Sequence, residues 1–213
     1  MAYLLRYEEE LRLAEQVLAR QPENVKQAVS EFVTMATANI PEDQRDLVKA
    51  RLVNGIIGAL PDAARELRFN VEDLIKPTKM ASGKMTIIEL RPELFNKTTF
   101  RNNYTSTGEQ NCPWNVNVAD GTFLIIVGLQ NPEPSPKVRY IYGKIGVDDL
   151  PTYYVGDLSG FRVKVFPQPF TLKPKTSIEL KVYVEATGYD ELRPFGAAIV
   201  SAVDATKLSP WSF

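Results

Sequence analysis

The spacing of the apolar residues changes near residue 80 of this chain. Up to that point they recur at steps of three and four, the spacing of a helix face. Beyond it they alternate, or run in short blocks bounded by glycine and proline, the spacing of strands. The two periods call for two differently built parts. The expected fold is therefore α+β, an N-terminal helical segment of three to four helices followed by an antiparallel β-sandwich, with the jelly roll as a candidate form. The boundary divides the chain into residues 1–78, a helical domain or attachment arm, and residues 79–213, a β-sandwich domain.

Leu4, Tyr7, Leu11, Ala14 and Leu18 form the first stripe, with a coiled-coil-like spacing over two heptads. That stripe can close on a local helical core or on a neighbouring subunit. Pro22 and Pro41 mark restarts, since proline is tolerated where a first helical turn leaves its N–H unpaired anyway. Val25, Val29, Phe32 and Ala36 form a second stripe, and Leu47, Ala50, Val53, Ile56, Ile57 and Leu60 a third. Pro61 is read as another restart. A short final helix is expected from Asn70, its cap, through Val71, Leu74 and Ile75 to a stop at Lys76 and Pro77. Of the 12 glycines only Gly55 and Gly58 precede the boundary, and the rest lie where turns need them.

After the boundary, Ile178, Leu180, Val182 and Val184 alternate with Glu179, Lys181, Tyr183 and Glu185. Phe161, Val163 and Val165 form a second such set, and Val138, Tyr140 and Tyr142 a third. The run from Gly121 to Gly128 is apolar throughout, which predicts a central strand covered on both faces. Further strands are expected at about 85–90, 98–104, 113–118, 152–156 and 194–203.

The chemical inventory is narrow. The chain contains no histidine, so a Ser-His-Asp or Cys-His arrangement cannot form within it. Cys112 is the single cysteine, beside Pro113 and Trp114, and reads as a packed residue. Paired-carboxylate chemistry would draw on Asp148, Asp149, Asp157, Glu185, Asp190 and Glu191, all at strand ends or turns, where acids also serve solubility. Asp148, Asp149 and Asp157 are the candidates for calcium, without EF-hand spacing. The expectation is no enzyme, no metal and no cofactor. Charge is balanced at 25 basic against 26 acidic residues, without the basic surplus of a phosphate-binding protein, so no direct nucleic-acid partner is expected. No stretch approaches the roughly 20 apolar residues of a membrane span. The N-terminus turns acidic at Glu8, unlike a signal peptide, which predicts synthesis in a cytoplasm.

Tyr140, Tyr142, Tyr153, Tyr154, Tyr183 and Tyr189 all fall in the β half. Aromatics on a sandwich face can form a core, an interface centre or a platform for sugars. Near the other end of the chain, Trp211 and Phe213 are two large aromatics expected to dock on their own domain or on a neighbour.

Phe166, Pro167, Gln168, Pro169 and Phe170 read as a corner between strands, followed by the Ile178–Val184 strand and a Gly188–Gly196 turn and strand. In texture, over about residues 85–205, this resembles the β-sandwich of tailed-bacteriophage virion proteins, including head decoration and cement proteins. The resemblance implies a non-enzymatic homo-oligomer in the virion, bound to the major capsid protein or another virion protein. It transfers no functional residue. Leu4, Tyr7, Leu11, Leu18, Trp211 and Phe213 are the interface candidates in that setting. The alternative is a carbohydrate- or receptor-binding module of a fibre or adhesin.

Overall fold

A computed structural model describes residues 2–77, 81–115 and 117–205, and the side chains from residue 7 onward within them. Three helices come first, α1 (Ala2–Ala19), α2 (Glu23–Ala36) and α3 (Glu42–Leu67). Pro22 and Pro41 stand immediately before α2 and α3, as helix restarts. Pro61 does not restart anything: α3 runs through it. Its apolar stripe continues past the proline to Ala63 and Ala64, both buried, and packing carries the helix across the lost backbone bond.

The expected fourth helix is also corrected. Asn70 begins only one 3-10 turn, Val71–Asp73, with its N–H held by the Asp73 carboxylate at 3.0 Å. The chain then becomes extended as β1 (Leu74–Ile75), which pairs in parallel with β2 (Met85–Glu89). Pro77 lies too close behind to let a helix grow, and Leu74 is fully buried at the sheet margin. The boundary at residues 78/79 thus falls between two strands of one sheet.

The remaining strands are β3 (Asn102–Tyr104), β4 (Gly108–Asn111), β5 (Thr122–Gln130), β6 (Val138–Ile145), β7 (Asp148–Tyr154), β8 (Val163–Leu172), β9 (Ile178–Val184), β10 (Gly188–Asp190) and β11 (Arg193–Ser201). A short helix, α4 (Ala202–Ala205), follows. Of the strand expected at 113–118, the described residues show a turn at Pro113 and Trp114 and an isolated bridge from Asn117 to Ser177. Pro113 cannot donate to a ladder there.

Two sheets form the sandwich, ordered β1-β2-β11-β5-β8 and β4-β9-β6-β7, and β10 pairs with β3 in a separate ribbon. With β1 and the ribbon set aside, the eight remaining strands run 1-8-3-6 in one sheet and 2-7-4-5 in the other. That interleaving is a jelly roll. The fold class is therefore α+β, with helices first and an antiparallel sandwich after them.

The architecture has three layers. Leu124 and Ile126 of β5 face the other sheet, in one core with Ile141, Leu180 and Val182. Phe123, Ile125 and Val127 of the same strand face the helices, in a second core with Phe32, Leu52 and Ile56. Coverage on both sides explains why β5 is apolar without alternation. α3 lies across β5 and β8, and α1 lies on α3. Gly55 permits this approach, since a side chain there would meet Ile125 and Pro169 at 3.1 and 3.2 Å.

The corner read at Phe166–Phe170 is a bulge inside β8. Ile126 pairs with Phe170 and Gly128 with Val165, so residues 166–169 stand opposite Val127 alone. Pro167 and Pro169 lie on this edge strand and Pro151 on the edge strand β7, a device that blunts unwanted strand pairing.

Candidate binding surface

α1 directs its stripe inward. Ala14 is fully buried, and Leu11 and Leu18 pack against the core shared by helices and sheet. Tyr7 is partly buried. Leu11, Ala14 and Leu18 are therefore engaged within one molecule. The Leu4 side chain, Trp211 and Phe213 lie outside the described residues.

The acidic candidates do not converge. Asp190 is buried, and its two oxygens accept from the backbone N–H groups of Lys137, Val138 and Glu191 and from the Asn131 amide, at 2.6–2.9 Å. It ties β10 to the start of β6. Glu185 pairs with Arg139 on β6, and Asp149 lies 3.9 Å from Lys144 across the β6–β7 hairpin. Asp148 and Asp157 are exposed, and Glu191 sits 3.5 Å from Arg193. Burial, reinforced by Glu133 and Asp190, holds the Glu191 carboxyl above its usual range. Among the described residues no group of three or more acids and cysteine is placed to hold a metal ion. Cys112 is buried beside Trp114, and burial raises its thiol far above the ordinary range, away from nucleophile chemistry. Trp114 donates its indole N–H to the Leu192 carbonyl at 3.0 Å and meets Phe95 edge to face.

The tyrosines behave differently from the set read in sequence. The register of β6 against β9 shifts between Val138 and Tyr140, leaving Arg139 as the extra residue of a bulge. Val138 therefore enters the core, while Tyr140 and Tyr142 turn outward and Ile141 takes the inward position. Tyr153 turns inward, 5.0 Å from the Phe166 ring. Tyr189 is exposed elsewhere, beneath the Arg101 guanidinium at 4.7 Å.

The outer face of the four-stranded sheet collects the rest. Glu109 of β4, Tyr183 of β9, Tyr140 of β6 and Tyr154 of β7 stand directly opposite one another across all four strands. Tyr140 lies 5.5 Å from Tyr154 and 6.3 Å from Tyr183, centroid to centroid, both edge to face. The three remain 41–46% exposed. This cross-strand row is flanked by charge. Arg139 donates to Glu185 and, at 3.3 Å, to the Tyr154 hydroxyl. The Glu185 carboxylate holds the guanidinium more firmly protonated than usual. At the other end, the Tyr142 hydroxyl donates to Glu109, and Lys181 approaches the same carboxylate at 3.6 Å. The Tyr142 bond lowers the Glu109 carboxyl and raises the phenol.

Beside the row lies a groove of about 980 Å³, between residues 97–99, 101–102, 111–113 and 177–181, with Asn115 and Asn117 in its lining. Its lining combines amides and hydroxyls, among them Thr98, Asn102, Asn111, Asn117 and Ser177, with the charged Lys97, Arg101, Glu179 and Lys181. Lys181 belongs to both the groove and the charged flank of the row, so the two surfaces are continuous. Asn115 shapes the groove floor: its amide accepts from the Leu180 N–H and donates to the Leu180 carbonyl, both at 2.8 Å. Sequence reasoning named the tyrosines but missed Glu109, Arg139, Lys181 and the asparagines, which only strand register brings to one face. Comparison of the chain with protein-family models, with curated proteins and with solved structures returns no match.

Proposed function

We propose that this chain is a non-enzymatic structural protein of a virus particle, a decoration or cement protein that stabilises a capsid by binding to it in many copies. The observation that supports this reading best is the strand order. A jelly roll of two four-stranded arrays, one backed by a helical layer, is an architecture used by capsid and lectin domains. Fold alone does not assign function, so the side chains must agree with the reading. In support of it, Asp190 is spent on hydrogen bonds within the fold, Cys112 is buried, and Glu185 pairs with Arg139.

The partner is the major capsid protein or another virion protein, together with further copies of this chain. Each contact buries apolar surface, and repetition over a lattice multiplies a modest single-site affinity. The test is to add the purified chain to capsids that lack it. Attachment predicts co-sedimentation that saturates and a higher temperature for capsid disruption. A chain that stays in the supernatant at every concentration, leaving capsid melting unchanged, contradicts the proposal.

A further inference from the structure

We propose that the Tyr183–Tyr140–Tyr154 row, with the groove beside it, binds a neutral saccharide chain. Three observations select this ligand class.

The first is width. Each tyrosine comes from a different strand, so the apolar stripe crosses the sheet but is only one residue wide. Lys181 and Glu185 lie on either side of Tyr183 along β9, and both are about half exposed. A stable protein interface needs about 800 Å² per partner, with a desolvated centre depleted in Lys and Glu. Three half-exposed rings between charged neighbours do not provide that centre. They do suit a ligand that is itself narrow and amphipathic. A sugar ring presents apolar C–H faces to aromatic rings and hydroxyl edges to polar groups on either side.

The second is charge. Stacked aromatic side chains also serve single-stranded nucleic acid, but that ligand needs a cationic groove along its phosphates. Here the two cations flanking the row, Arg139 and Lys181, each face a carboxylate, Glu185 and Glu109. The groove adds Lys97, Arg101 and Glu179, with Arg101 paired to Glu133 at 3.0 Å, so cations and carboxylates stay matched in number around the site, as over the whole chain at a net charge of -1. A neutral ligand fits this balance.

The third is continuity. The row runs into the groove through Lys181, and the amides of Asn102, Asn111 and Asn117 line that groove. Amides both donate and accept, which matches hydroxyl groups. At the other end the row stops at Tyr154, 41% exposed on the edge strand β7, which suits an internal stretch of a longer chain lying along it.

The inference does not depend on attachment to a capsid. Glycan binding without capsid association would overturn the proposed function and leave this site standing, and the opposite pair of results would do the reverse. The experiment is affinity electrophoresis of the full chain in gels containing dextran, galactomannan, xylan or mixed-linkage glucan, alongside an array of neutral oligosaccharides of increasing length. At least one of these probes should bind, with affinity that climbs with length until the row is covered and then levels. Tyr140→Ala should weaken binding about tenfold, the loss of one ring contact. Tyr140→Phe should keep most of the affinity, and Phe161→Ala, an exposed ring just before β8 of the other sheet, should keep all of it. Thermal melting of each variant reports folding, and Tyr154→Ala replaces Tyr140→Ala if the latter melts early. Absence of binding to every probe overturns the proposal. So does an equal loss in Phe161→Ala, or retention by oligo-dT in place of the glycans. Loss of capsid association in Tyr140→Ala, with no glycan bound by the parent chain, also overturns it, by making the row a protein contact.

Discussion

Asp190 shows what a buried acid does when every lone pair is filled. Its carboxylate accepts from three backbone N–H groups and one amide, with donors 52 to 59 residues away among them. Asp190→Asn places an N–H donor against those N–H groups. A loss of about 3 kcal/mol is expected, the scale of hydrogen bonds to a buried charge. Urea unfolding of the two proteins measures it, and an unchanged midpoint would show that the clamp is dispensable. In sequence Asp190 stands beside Glu191 at a strand end, indistinguishable from a solvated pair. Its role depends on contacts that no local pattern encodes. The same holds for Tyr140. Alternation puts it with Val138, and one extra residue, Arg139, reverses the phase.

At the scale of elements, the helices and the sheet share one core. α1 makes this testable, because its two faces differ. Ala14 has no exposure, whereas Leu13 beside it is 49% exposed. Ala14→Asp buries a charge and is expected to cost about 3 kcal/mol or more. Leu13→Asp is expected to stay within about 0.5 kcal/mol. Thermal melts of the isolated chain separate these outcomes. Tolerance of Ala14→Asp would mean that the stripe is not held within the molecule. The helical stripes, the restarts at Pro22 and Pro41, and the doubly covered β5 were legible because each follows from a local period or a local stereochemical rule. Asn70 does cap a turn, but α3 passes through Pro61 and the segment after Asn70 turns extended, for a common reason. Burial of Ala63 and Ala64 carries α3 through a proline, and pairing with β2 pulls Leu74 and Ile75 out of a helix. In both cases tertiary packing overrides a local signal.

For the whole molecule, the sandwich was expected from strand spacing, but the strand order was not. β2 and β11 are neighbours although Ile88 and Ala198 are far apart in sequence, and nothing local specifies their pairing. The charges distributed over this fold give it a pH dependence of mixed sign. The Lys84 hydrogen bond lowers the Asp73 carboxyl, and Lys173 does the same for Glu66. Their contribution is present at neutral pH and is lost as the pH falls from the ordinary carboxylate value through their lower folded values. Glu89 has the opposite sign. Burial raises its carboxyl despite the attraction of Arg91 and Arg193. In the window between its ordinary value and the higher folded value, the native state holds more of the proton, so stability falls as the pH rises through that window. Glu89→Gln should therefore gain stability relative to the parent at neutral pH, and the gain should shrink as the pH falls to the ordinary glutamate value. Chemical unfolding across that range checks it, and a difference that is flat or grows on acidification contradicts it.

The central proposal places this chain in a virus particle as a repeated structural component, and the most direct measurement is its copy number there. Quantitative mass spectrometry across a density gradient of purified particles should find the chain in a constant ratio to the major capsid protein in every particle fraction. A ratio that varies between fractions, or a chain confined to the soluble fractions, would contradict a structural role.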